Sequence, residues 1–172
     1  IPYIELTIQI LYKVGINIKH NNYNTFYIKG NQKPNATIFD AEGDWSGAAF
    51  HLVGGAIGGN VEVLGLNLNS VQADKQIIEI LQKSGAKVEL KDNIVSIKKH
   101  KLQSFECDLT HCPDLFPPVA TLAAYCQGET ILYGANRLIN KESNRAMALQ
   151  NEFQKLGINI RLEDNTMIIK GS

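Results

Sequence analysis

Lys13-Val14-Gly15-Ile16-Asn17-Ile18-Lys19 and Lys155-Leu156-Gly157-Ile158-Asn159-Ile160-Arg161 are nearly the same phrase, written near opposite ends of the chain. Apolar residues at helical spacing precede each: Ile4, Ile8, Leu11 and Val14 before the first, Leu149, Phe153 and Leu156 before the second. The glycine stops the helix, and isoleucines at alternate positions then start a strand. A turn pair and a returning strand complete the phrase, Asn21-Asn22 with Thr25 to Ile28 and Asp164-Asn165 with Met167 to Ile169. A third version lies between them. There a helix over 70–84 runs through Ile77, Ile78 and Leu81, Gly85 ends it, Val88 and Leu90 mark a strand, Asp92-Asn93 turns, and Ile94 to Ile97 returns. Gly15 and Gly85 are 70 residues apart, and Gly85 and Gly157 are 72 apart, so the chain carries an internal repeat.

Two of the three copies show what comes before this ending. In one, Thr37 to Phe39 reads as a strand, Asp44 to Ile57 as a helix with apolar or small residues all round, Gly58-Gly59 as its stop, and Val61 to Leu64 as a strand. In the other, Phe105 to Leu109 is a strand and a helix runs to about Tyr125, with Pro117 and Pro118 tolerable only in its first turn. Gly128 then ends that helix, and Thr130 to Tyr133 is a strand. The unit is β-α-β-α-β-β. The fold class is α/β with mixed, α+β-like sheets, because strands alternate with helices while every unit closes in a hairpin. Residues 1–40 form the helix-and-hairpin tail of a unit whose head is missing and a polar linker, and 41–172 form two full units.

The bulk properties set the background. Of the 172 residues, 44% are hydrophobic and 20% charged, a composition that folds rather than staying disordered. Lys+Arg and Asp+Glu are 17 each, so no overall charge recruits nucleic acid or an anionic membrane, and an anion site must be local. No apolar run approaches the length of a membrane span. The chain begins with Ile and shows no leader pattern, so it reads as a piece of something longer. Cys107, Cys112 and Cys126 are odd in number and contain no C-x-x-C pair, which points to packing thiols in a reducing, cytoplasmic setting. His20, His51, His100 and His111 show no metal-ligand spacing, so no metal site is expected.

The chemistry concentrates in the last copy. Asp44 and Asp114 open corresponding helices 70 residues apart, and either can act simply as a cap. Lys141-Glu142-Ser143-Asn144-Arg145 follows Asn140, a candidate N-cap for a helix beginning at 141. On such a helix Lys141 and Arg145 share a face with Glu142 beside them, at an end that favours anions. The plain alternative is a solvated first turn with surface ion pairs. The matching segment of the preceding copy, Ser70-Val71-Gln72-Ala73-Asp74-Lys75, lacks the pattern. A repeat kept for structure alone does not need the cluster once. If both helix starts lie at one end of the sheet, Asp114 and Glu142 meet Lys141 and Arg145. Two carboxylates beside two cations can perform acid–base chemistry on a phosphorylated substrate.

Four stretches, in order, resemble the 5-enolpyruvylshikimate-3-phosphate synthase family, the 3-phosphoshikimate 1-carboxyvinyltransferases. They are Pro2-Tyr3-Ile4; Gly43-Asp44-Trp45-Ser46-Gly47-Ala48, with Gly47 for the family's second serine; His111-Cys112-Pro113-Asp114; and Arg137 through Lys141-Glu142 to Arg145. The resemblance implies an inverted α/β fold of β-α-β-α-β-β units, three to a domain, with residues 1–40 the end of one domain and its linker and 41–172 two units of the second. It implies transfer of the enolpyruvyl group of phosphoenolpyruvate to the 5-hydroxyl of shikimate 3-phosphate, with release of phosphate and without metal or cofactor, by a cytoplasmic monomer. By the same resemblance Asp114 is the base at the hydroxyl, Glu142 handles the C3 proton, Arg145 holds phosphoenolpyruvate, and Lys141, Arg137 and Tyr3 touch shikimate 3-phosphate. Asp44 keeps its structural reading. The family's other phosphate-gripping cations lie outside this chain, which implies no synthase activity for residues 1–172 alone. The nearest rival is the enolpyruvyl transferase acting on UDP-N-acetylglucosamine, which shares the fold. A rival of another class is a non-catalytic repeat module presenting Arg137, Lys141 and Arg145 to an acidic partner.

Overall fold

A computed structural model describes residues 2–35, 38, 40–139 and 143–172. The first segment is helix α1 (Pro2–Lys13) and the hairpin β1 (Ile18–Asn21) with β2 (Thr25–Ile28). The pair forms a two-stranded sheet of its own, in antiparallel register from Ile18–Ile28 to Asn21–Thr25. Its turn uses the left-handed residues Asn22 and Tyr23, one position later than the sequence suggests. The segment buries little: Ile8 from α1 and Ile18 from β1.

The first full unit contains α2 (Trp45–Gly58), β3 (Asn60–Leu64), α3 (Ile77–Lys83), β4 (Lys87–Lys91) and β5 (Ile94–Lys98). Its three strands pair in the order β3-β5-β4, both pairings antiparallel. Of the strand expected over 37–39, residues 37 and 39 lie outside those described, and Ile38 is exposed and belongs to no strand. The second unit contains β6 (Glu106–Asp108), α4 (Phe116–Ala124), β7 (Gly128–Tyr133), α5 (Arg145–Lys155), β8 (Ile160–Glu163) and β9 (Thr166–Gly171). Its sheet runs β6-β7-β9-β8, parallel between β6 and β7 and antiparallel elsewhere. That is the mixed sheet the closing hairpins demand. Gly15, Gly85 and Gly157 all adopt positive φ, +83°, +89° and +78°, so the repeated stop is a left-handed backbone position that a side chain resists.

Two helix starts and the burial of one helix differ from the sequence reading. The helix expected over 70–84 starts as a 3₁₀ turn, Ala73–Gln76, and becomes α-helical only at Ile77. Gln72, ahead of it, offers no side-chain cap to the turn, because its amide is engaged elsewhere. Helix α5 starts at Arg145 rather than 141, capped by Asn144, whose side-chain oxygen accepts from the Met147 N–H at 3.2 Å. The proposed cap Asn140 lies outside the described residues. Helix α2 is not buried all round either: Phe50, His51 and Gly54 open to solvent on one side.

The core lies between the two sheets and is built on helices. Trp45, Leu52, Ile77, Leu81, Phe116, Leu122 and Leu132 are each completely buried in one continuous cluster. Burying a large apolar side chain contributes about 1.5–3 kcal/mol, so this cluster outweighs any surface polar contact. Helix α4 is the most enclosed element, with Phe116, Pro118, Val119, Ala120, Leu122, Ala123 and Ala124 all buried. Two close helix–sheet approaches are made by glycine. A Cβ on Gly55 of α2 would stand 2.9 Å from Val61 Cβ, and one on Gly171 of β9 would stand 2.2 Å from the Cys126 carbonyl oxygen and 2.3 Å from that of Ala123.

Candidate active site

Asp44 and Asp114 separate chemically once folded. Asp44 caps α2 with both oxygens, accepting from the Ser46 N–H and the Gly47 N–H at 3.0 Å each. Asp114 sits in the 3₁₀ turn Pro113–Leu115 that leads into α4 and makes no such cap. Pro117 and Pro118 occupy the first turn of α4 and bring no N–H, so two of the donors a cap would serve are missing. Its Oδ1 instead accepts from Arg145 Nη1 at 2.9 Å.

Arg145 is the first residue of α5. Its side chain and that of Asp114 keep 34% and 39% of their surface exposed, so the pair is accessible to a small ligand. Arg145 also borders a cavity of about 200 Å³ lined by Pro117, Ala148, Leu149 and Glu152. Arg137 is exposed on the 3₁₀ turn Ala135–Leu138. The β8–β9 turn holds that turn in place: the Asn165 carbonyl accepts from the Gly134 and Ala135 N–H groups, and its side-chain oxygen from the Asn136 N–H at 3.0 Å.

Tyr3, in the first turn of α1, shares the electrostatic field of this region. Partial burial, then the carboxylates of Asp74 and Asp114 and the Cys112 thiol, push its phenol up to about 12 against a smaller opposing pull from Arg137. It therefore keeps its proton near neutral pH and can donate to an anion. Of Tyr3, Asp114, Arg137 and Arg145, drawn from four separate elements, Asp114 and Arg145 are in direct contact, and Asp114 and Arg137 act on Tyr3 through their charges. Lys141 and Glu142 lie outside the described residues.

Sequence reading passed over Asp74. It is buried, and the Ser46 hydroxyl donates to its Oδ2. The repeat carried a signal: Asp74 stands 72 residues before Ala146, at the place where the second unit begins the helix that carries Arg145. Asn165, by sequence a plain turn residue, also holds the backbone of 134–136. The three thiols are buried, and desolvation pushes Cys107 and Cys112 up to about 12 and Cys126 up to about 11, which suits packing rather than nucleophilic roles. Among the described residues no group of three His, Cys, Asp or Glu could hold a metal ion, and no helix is long and apolar enough to cross a membrane.

A second polar cluster lies along α1. A cavity of about 190 Å³ separates Leu6, Gln9, Ile10 and Lys13 from residues including Glu42 and Gln72, and it contains none of the site residues above. Partial burial works to raise the Glu42 carboxyl. Hydrogen bonds from Gln72, Ser70 and Asn67, with the charge of Lys13, outweigh that and hold it below its ordinary range.

The family model for EPSP synthase (3-phosphoshikimate 1-carboxyvinyltransferase) matches residues 1–172. The chain belongs to the EPSP synthase family. A 3-phosphoshikimate 1-carboxyvinyltransferase of Clostridium novyi is 41% identical over 169 residues, covering 98% of this chain and 39% of the relative. One from Brachyspira hyodysenteriae is 38% identical over 172 residues, covering 99% of this chain and 41% of the relative. An EPSP synthase structure from Acinetobacter baumannii superposes with a TM-score of 0.81 at 27% identity, covering 95% of this chain and 40% of that one. The enolpyruvyl transferase NikO of Streptomyces tendae has a TM-score of 0.66 at 16% identity over 99% of this chain and 40% of its own, a likeness of fold. The chain thus spans about 40% of the length of the EPSP synthases it matches.

Proposed function

We propose that residues 1–172 supply part of the active site of a synthase that moves the enolpyruvyl group of phosphoenolpyruvate onto the 5-hydroxyl of shikimate 3-phosphate. The observation that carries this is the Asp114–Arg145 pair, at 2.9 Å and accessible, with Tyr3 and Arg137 in the same field. In this reading Asp114 takes the proton of the attacking hydroxyl as its oxygen bonds to C2 of phosphoenolpyruvate. Glu142 delivers a proton to C3 and then removes one as the C2–O bond to phosphate breaks, so the enol is restored. Arg145 holds the carboxylate or phosphate of phosphoenolpyruvate, where a guanidinium can make paired hydrogen bonds. Arg137 and Lys141 hold the other anion, and Tyr3 donates to it. The reaction so described uses no metal and no cofactor. Residues 1–40 end one domain and 41–172 supply two units of the next. The separate two-stranded sheet of β1 and β2 supports that division.

Nuclear magnetic resonance titration of the chain with shikimate 3-phosphate tests the reading. The expected result is saturable shifts at Tyr3, Asp114, Arg137 and Arg145, with affinity lowered about tenfold or more in Arg137→Ala by loss of a charge-assisted contact. Phosphate release from phosphoenolpyruvate by residues 1–172 alone is not expected. Shifts produced by UDP-N-acetylglucosamine and not by shikimate 3-phosphate, or by neither, overturn the reading.

A further inference from the structure

We infer that Gln76, in the first unit, is a positioning residue for Asp114 in the second. Gln76 ends the 3₁₀ turn Ala73–Gln76, and its amide reaches across to the loop between β6 and α4. Its Nε2 donates to the Asp108 carbonyl oxygen at 3.1 Å, and its Oε1 accepts from the Cys112 thiol at 3.2 Å. Asp108 is the last residue of β6, and Cys112 is two residues before Asp114. One planar amide therefore grips both ends of the loop that delivers the carboxylate.

Other bonds of the loop lie within its own unit. Thr110 N–H donates to Asp108 Oδ1 at 2.8 Å, Cys112 N–H to the Leu109 carbonyl at 3.1 Å, and Leu109 N–H to the Tyr133 carbonyl at 2.9 Å. These close the loop on itself and on β7. Gln76 adds a fixed point in the other unit, and the 3₁₀ turn it belongs to is tied down through the Ser46–Asp74 bond at the start of α2. The orientation of the amide follows from the chemistry of its partners. The Asp108 carbonyl can only accept, and the desolvated Cys112 sulfur keeps its proton and donates. Flipping the amide would set its NH₂ against the thiol and its oxygen against a carbonyl. The result is a rigid line from α2 through Gln76 to the turn that points Asp114 at Arg145. The inference rests on Asp114 being a site residue, as proposed above.

The test uses residues 1–172 carrying Gln76→Met, which keeps the length and loses both bonds, or Gln76→Glu, which keeps only the acceptor for Cys112. Gln82→Met, at an exposed position of α3, is the control. Residue-resolved hydrogen exchange should quicken about tenfold over 109–115 in Gln76→Met, the loss expected for neutral hydrogen bonds, and less in Gln76→Glu. β5 and β9 should be unchanged, and the Arg145 guanidinium signal, which reports its pair with Asp114, should move in the Gln76 variants alone. Affinity for shikimate 3-phosphate should fall with it. An unmoved Arg145 signal, unaltered exchange over 109–115, or faster exchange spread evenly through both units overturns the inference. If the wild-type chain binds no shikimate 3-phosphate while the loop and Arg145 respond as described, the proposed function fails and the positioning role of Gln76 stands.

Discussion

The two units share one plan and use their polar residues differently. In the first, the polar groups around the start of α2 hold the unit to itself: Asp44 caps α2, Glu42 gathers Asn67, Ser70 and Gln72, and the Ser46 hydroxyl bonds Asp74. In the second, Asp114 faces Arg145 across two helix starts, and both remain open to solvent. The change is small in sequence. Prolines at 117 and 118 take two N–H groups away from the helix start, and an arginine begins α5 where the matching element of the first unit is a 3₁₀ turn. A repeated scaffold can thus be given a site by withdrawing caps rather than by rebuilding a sheet.

The comparison can be broken first at its shared core. Trp45 and Leu115 stand 70 residues apart and are both fully buried. Trp45→Ala should cost about 3–5 kcal/mol and Leu115→Ala about 2–5 kcal/mol in urea unfolding. A small loss at either would mean that its unit contributes little to the common interior. Next come the glycines at the helix–sheet contacts. Gly171→Ala should destabilise by about 1–3 kcal/mol and Gly55→Ala by less. The carbonyls facing Gly171 are backbone and cannot swing away, while Gly55 faces side-chain carbons. The reverse order in thermal melts would show that the strand yields more readily than the helix.

The two aspartates sharpen the comparison more directly. Asp44→Ala should lower stability by about 1 kcal/mol, the worth of an N-cap, and leave shikimate 3-phosphate binding intact. Asp114→Ala should change stability by less than about 1 kcal/mol, as for a solvent-open ion pair, and weaken binding. Calorimetric titration beside urea melts reads both, and equal effects at the two positions would erase the distinction. The smallest effect concerns acid. The Glu42 carboxyl sits below its ordinary value of 4.5, so the folded state binds its proton less readily than the unfolded chain does. The stability this adds is present above pH 4.5 and drains as pH falls through the lower, folded value. Glu42→Gln should flatten that part of the stability–pH curve, and an unchanged acid limb would remove Glu42 from the account.

Much of this was legible in the sequence because its signals are local. A glycine followed by alternating isoleucines marks a helix stop and a strand without reference to anything distant, and the three stops emerged where the repeat placed them. Helix starts were harder. Asn140 and Asn144 are chemically equivalent caps, and the described helix begins after the second. The turn at 73–76 read as helix because its apolar spacing continues into α3, while Gln72 was drawn off to Glu42 and the Trp45 N–H, a tertiary choice that periodicity cannot register. At the site, the Asp114–Arg145 pairing followed from two helix starts sharing one end of a sheet. Asp74, Gln76 and Asn165 did not, because their partners are a hydroxyl, a backbone carbonyl with a thiol, and a backbone N–H, which no complementary charge marks in the sequence.

Helix α4 has a consequence for how the molecule can come apart. With seven of its nine residues buried, it has almost no face to turn toward water, and it packs against α2 on one side and β9 on the other. Neither unit can therefore melt and leave the other intact, since the survivor would expose the wall that α4 had provided. Heat should undo both units in a single cooperative step.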